Sequence, residues 1–192
     1  MVRLLAFAGS TRADSYNQRL LDIAAAHARG AGAEVTAIRL KDFDLPLFDE
    51  DLEARGFPPK ADELRSLLIA HDGFLIASPE YNGGVSGVLK NAIDWASRPR
   101  AGEALPALAA FRGKVAGLMA ATITPYGGLR GILQLRAILG TIQTVAATQN
   151  VLVPFADKAF EGAELRDPMA KQMLPTLVDR VIQMAGALGP KS

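Results

Sequence analysis

The stretch VRLLAFAGSTRADSYNQRLLDIAAAHARGAGAEVTAIRL, residues 2 to 40, decides the fold. Val2 to Ala8 is a short apolar run that stops at Gly9, the pattern of a strand buried on both faces of a parallel sheet. Asn17 to Ala28 then sets Leu20, Leu21, Ile23, Ala24 and Ala28 at helical spacing, and Gly30 and Gly32 end it. Val35 to Leu40 is a second apolar run. Strand, helix and strand in so short a span require a crossover connection, which makes the two strands parallel neighbours.

The alternation continues down the chain. Ala61 to His71 puts Leu64, Leu67 and Leu68 on one helical face, and Gly73 to Ser78 (GFLIAS) is a third buried strand. Val85 to Ser97 fits a helix, Lys114 to Ala121 a fourth strand, and Leu129 to Leu139 repeats leucine and isoleucine at helical spacing. Thr144 to Val153 holds a fifth strand, broken by polar TQN and stopped by Pro154, and Pro168 to Leu188 closes the chain as a helix. Lys41 to Pro59 shows neither period and predicts a long loop. Strands alternating with helices in this way predict an α/β, doubly wound three-layer sandwich around a five-stranded parallel sheet of order 2-1-3-4-5.

At 192 residues the chain suits a single domain over 1–192. Hydrophobic residues make up 49% and charged ones 21%, which excludes a disordered chain. The 21 basic and 20 acidic side chains are dispersed and leave a net charge of +1, so no footprint for nucleic acid or an anionic membrane is present. With no cysteine, disulfides, thiolate metal sites and cysteine nucleophiles are all excluded. The first apolar run is too short to span a bilayer and passes straight into GSTR, without a cleavage pattern, so a cytoplasmic location is expected.

In a doubly wound sheet the ligand sits beyond the carboxyl ends of the strands, at the switch point between the first and third. After the first strand comes GSTRADSYN. Gly9 permits a tight turn, Ser10, Thr11, Ser15 and Asn17 are short and polar, Arg12 adds a planar cation, and a helix N-terminus follows. This composition describes a phosphate cradle in preference to a plain serine N-cap. Neither G-x-G-x-x-G in this loop nor G-x-x-x-x-G-K-[ST] anywhere is present, so a ligand with a single terminal phosphate, such as FMN, fits. After the third strand, SPEYNGGVSGVLKNAIDW lets Gly83, Gly84 and Gly87 bring backbone close to a flat ring, with Tyr81 and Asn82 beside it.

Together, GSTRADSYN, DLPLFDEDLE, SPEYNGGVSGVLKNAIDWASRP and GGLRGILQLRAIL resemble the NADPH-dependent FMN reductase family, which includes quinone, chromate and azo-dye reductases. The resemblance covers essentially the whole chain, and PEYN…LKNAIDW after a buried strand is its most specific part. It implies a flavodoxin-like fold with non-covalent FMN, its phosphate held by Ser10, Arg12, Ser15 and Asn17 and its ring by Pro79, Glu80, Tyr81, Asn82 and Gly83. The loop after the fourth strand departs from the pattern. It reads AATITPYGG where relatives carry serine and glycine, so Thr122 and Gly127 are the contacts expected from it, with Gly128 and Arg130 also matching.

The resemblance further implies hydride transfer from NADPH or NADH through FMN to a small acceptor (quinone, free flavin, chromate or azo compound), in a homodimer or homotetramer with the flavin near the interface. No catalytic side chain and no metal site is assigned. Glu80 is read as orienting a neighbouring amide or arginine. Leu45, Leu47 and Phe48 need burial, which places the long loop near the flavin edge or across the interface. Ile93 and Trp95 are expected in the core or at the dimer contact, His27 and His71 at helix ends or on the surface, and Ser78 lacks a nucleophile-elbow setting. The rival reading is a flavodoxin-type electron carrier; near-neutral charge and Arg12 in the phosphate loop favour the reductase. A phosphoryl-receiving signalling domain would need an aspartate where Ser78-Pro79 stands.

Overall fold

The computed structural model describes residues 1–100 and 102–188. β1 (Arg3–Ala8) leads to α1 (Tyr16–Gly30), β2 (Glu34–Arg39), a 3-10 turn at Leu40–Phe43, α2 (Glu50–Arg55), α3 (Pro59–Ala70) and β3 (Gly73–Ala77). The short strands β4 (Glu80–Tyr81) and β5 (Gly84–Val85) precede α4 (Gly87–Ala96), β6 (Val115–Ala121), α5 (Leu129–Thr141) and β7 (Val145–Val153). After α6 (Ala156–Ala159), β8 (Phe160–Glu161) and β9 (Glu164–Leu165), the long α7 (Pro168–Leu188) follows.

The five long strands form one parallel sheet in the order β2-β1-β3-β6-β7, the expected flavodoxin-like 2-1-3-4-5 arrangement. Alternate residues serve opposite layers. Leu4, Ala6 and Ala8 of β1 pack with α1 and α7, whereas Leu5 and Phe7 pack with α3, α4 and α5. Burial on both faces explains why the central strands read as continuous apolar runs.

The excursion between β2 and α3 contains more structure than its sequence suggested. α2 buries none of its residues, so no hydrophobic period marks it. It forms because the Asp49 carboxylate accepts from the N–H groups of Asp51 (2.7 Å) and Leu52 (3.1 Å), and because Glu50, Asp51 and Glu53 complement the positive helix start. The three apolar side chains of this segment also part ways. Leu45 packs on the core, and Phe48 meets Trp95 edge-on at 5.0 Å. Leu47 is 82% exposed in the chain. Phe57 approaches Trp95 at 5.4 Å, Trp95 Nε1 donates to the Pro46 carbonyl (2.8 Å), and Asn91 Nδ2 donates to the same oxygen (2.9 Å). The excursion is thus fastened to α4 of its own chain.

Two half-buried cations finish strand and helix ends. Arg136 donates to the carbonyls of Ala146 and Ala147 and to Asn150 Oδ1, where the β6–β7 register shifts around the polar TQN. Lys114 Nζ donates to the Leu68, Ile69 and His71 carbonyls at the end of α3, and burial lowers its ammonium to about 8. His71 is itself buried at that helix end, bonded to Leu67 O (2.7 Å) and Thr36 Oγ1 (2.9 Å), whereas His27 on α1 pairs with Asp179 (2.8 Å).

Candidate active site

The carboxyl ends of β1, β3 and β6 lie side by side, with Ala8 opposite Ala77 and Ala77 opposite Met119. Three loops leave this edge: 9–15, 78–86 and 122–128.

The first loop starts from a close approach. Gly9 donates to Ala77 O (2.8 Å), and its carbonyl accepts from Ser86 Oγ (2.6 Å) at the start of α4. A Cβ on Gly9 would stand 2.9 Å from Ser86 Oγ and 3.0 Å from Leu89 Cβ, so only glycine lets α4 close on β1. Ser15 caps α1, its Oγ accepting from Gln18 N (3.3 Å), and Ser10 Oγ accepts from Arg12 N (3.4 Å). Both hydroxyls therefore keep their own hydrogen to donate. Asn17 is buried, and its amide bonds both main-chain groups of Ala121 at 2.9 Å. It pins α1 to the end of β6, and what it offers a ligand is chiefly main-chain N–H. Among the described residues no acceptor takes the N–H groups of Thr11, Ala13, Tyr16 or Asn17, and Arg12 is exposed without a carboxylate partner. Unclaimed N–H and O–H donors, a helix start and a guanidinium are the chemistry an anion site requires.

Pro79, Glu80, Tyr81, Asn82 and Gly83 belong to the β4–β5 hairpin, where Asn82 (φ 50°) and Gly83 (φ 79°) occupy the tip in left-handed conformations. An Asn-Gly pair is the strongest short signal for such a turn, and it stood legible in the sequence as YNGG. The hairpin is clamped to α5. Glu80 Oε1 accepts from Arg130 Nε (2.8 Å) and Nη2 (2.5 Å), Glu80 Oε2 from Gly131 N (3.1 Å), and Gln134 Oε1 from Val85 N (2.6 Å). Burial pushes the Glu80 carboxyl upward, but the Arg130 and Gly131 bonds outweigh it and hold the group below the usual carboxylate range. With both oxygens engaged, Glu80 is a structural anion whose main chain remains for a ligand. Tyr81 is half-exposed.

In the third loop Gly127 (φ 59°) and Gly128 (φ 88°) bring the start of α5 against β6; a Cβ on Gly128 would stand 2.5 Å from Ala120 Cβ. Thr122 donates its N–H to Val153 O (3.0 Å), and its hydroxyl meets Thr124 Oγ1 (3.0 Å). Ile123, Tyr126 and Phe155 stand exposed around this mouth, with Arg130 5.1 Å from the Tyr126 ring. Ile93 and Trp95 are fully enclosed in their own chain, which removes them as contacts for a neighbour. The arginine that Glu80 was expected to orient is Arg130, whereas the Ser86 tie was not foreseen, since it joins residues far apart in sequence.

The sequence model of the family described as NADPH-dependent FMN reductase matches residues 2–158. The chain belongs to the NADPH-dependent FMN reductase family. Among its relatives is the NAD(P)H-dependent FMN reductase PA1204 of Pseudomonas aeruginosa, 35% identical over 176 residues that cover 90% of this chain and 89% of that protein. The NAD(P)H:quinone oxidoreductase of Solanum tuberosum is 40% identical over 102 residues, 52% of each chain. In structure, the reductase superposes with a TM-score of 0.80 on FerB, a flavoenzyme NAD(P)H:(acceptor) oxidoreductase from Paracoccus denitrificans, at 25% identity over 98% of this chain and 99% of that one. Membership makes the reductase an NAD(P)H-dependent oxidoreductase with FMN as cofactor, and the anion seat beside a tight left-handed hairpin fits a flat ring carrying one phosphate. Among the described residues of the reductase no helix is long and apolar enough to cross a membrane.

Proposed function

We propose that the reductase passes two electrons from NADPH or NADH to a quinone, with FMN laid across the carboxyl ends of β1, β3 and β6. The observation that carries this reading is the loop after β1, where the N–H groups of Thr11 and Ala13, the hydroxyl hydrogens of Ser10 and Ser15 and the Arg12 guanidinium find no partner among the described residues. FMN, when bound, accepts hydride from the nicotinamide and delivers two electrons to the acceptor. The chain's part would be to hold and orient it: Ser10, Arg12, Ser15 and the start of α1 would receive the phosphate, and the hairpin around Tyr81, Asn82 and Gly83 would hold the ring. Thr122 and Gly127 would add contacts from the loop after β6. No side chain is assigned as a general acid, because Glu80 is committed to Arg130.

Tyr81, Ile123, Tyr126 and Phe155 expose apolar and aromatic surface on the segments that follow β3, β6 and β7, which favours a planar organic acceptor over a small oxyanion such as chromate. Relatives named as quinone oxidoreductases support the same choice. The test is a two-stage anaerobic mixing experiment on the FMN-loaded protein. NADPH is expected to bleach the flavin absorbance, and benzoquinone to restore it faster than chromate does. Failure to bleach would leave an electron carrier without NAD(P)H activity, and faster return with chromate would reverse the choice of acceptor.

A further inference from the structure

The β8–β9 hairpin lies beyond residue 158, where the family match ends, yet it grips the loop after β1. Tyr16, the first residue of α1, stacks on Phe160 with ring centres 5.8 Å apart and planes at 23°. Arg19, one turn further, sends Nη1 to the Gly162 carbonyl between β8 and β9 (2.9 Å) and Nη2 to the Asp14 carboxylate. Its guanidinium also stands 5.4 Å from the Tyr16 ring. One planar fork therefore joins the hairpin, the helix start and the loop, which a lysine, with a single point charge, cannot reproduce.

Asp14 is the sole carboxylate among residues 9–17. A negative charge in a segment that otherwise presents donors and Arg12 opposes the arrival of a phosphate. Arg19 meets that opposition by pairing with the Asp14 carboxylate through one arm of its fork while the other holds the Gly162 carbonyl. We propose that Arg19 is a positioning residue of the FMN site, which withdraws the Asp14 carboxylate from the phosphate loop and splints that loop to the β8–β9 hairpin. The proposal rests on the reading of the loop as the seat of the FMN phosphate.

The test titrates FMN and riboflavin separately into apo wild type, R19M and R19M/D14N at fixed low ionic strength, following flavin fluorescence. R19M is expected to bind FMN about tenfold more weakly and riboflavin as wild type does, the latter showing that the fold and ring site are intact. R19M/D14N is expected to recover most of the FMN affinity, because the carboxylate that Arg19 restrained is gone. If R19M leaves FMN binding unchanged, weakens both ligands alike, or is not rescued by D14N, Arg19 has no such role. If wild type itself does not prefer FMN to riboflavin, the phosphate seat has been misplaced and the failure lies there.

Discussion

Arg12 stands in solvent, its main-chain N–H held by Ser10 Oγ (3.4 Å), with no carboxylate partner among the described residues. A guanidinium left unpaired beside a helix start is the natural counter-charge for a phosphate. A charged hydrogen bond contributes about 1.5 to 3 kcal/mol, so Arg12→Ala should weaken FMN binding about tenfold to a hundredfold and leave riboflavin almost untouched. Titrating both flavins into the apo forms checks this; equal losses, or none, would show that Arg12 does not read the phosphate. The donor-rich character of the loop around Ser10, Arg12 and Ser15 was legible because it depends only on residue types next to a strand end. Asn17 was legible only as a polar residue in the right place, since its bonds to Ala121 cross to β6 and leave no trace in spacing.

The hairpin β4–β5 and the start of α5 form one mechanical unit through Glu80, Arg130, Gly131 and Gln134. The Glu80 side chain is 4% exposed and its carboxyl is held below the ordinary 4.5, so the unfolded state takes up its proton first as pH falls. The clamp's stabilisation is therefore complete above the unfolded value and is lost as pH drops through the folded one. Glu80→Gln should cost about 1 to 2 kcal/mol at pH 7, measured by urea unfolding of the apoprotein, and the gap to wild type should narrow below pH 4.5. A gap that widened in acid would show that the carboxylate is not what holds the hairpin. The Asn-Gly tip was readable in the sequence, but the element it docks on was not.

A homodimer or homotetramer is expected of the whole molecule, and light scattering should give a multiple of the 20.3 kDa chain mass at micromolar concentration; a monomer would overturn this. Since Ile93 and Trp95 are enclosed, one apolar surface available to a second copy is the exposed Tyr126, Leu129 and Leu133 at and along α5. The order of the sheet was legible in the sequence, because strands buried on both faces appear as unbroken apolar runs and a parallel crossover admits few topologies. The sequence by itself determined the alternation of elements, the loop chemistry after β1 and β3, and the family. Only the tertiary structure decided that α2 exists without a buried face, that Phe48 and Phe57 close on Trp95, and that Glu80 serves Arg130. α2 rests on its local Asp49 cap and has no buried face for periodicity to record; the other two depend on residues distant in the chain whose pairing is set by packing, and sequence periodicity records only which residues are buried, not what they meet.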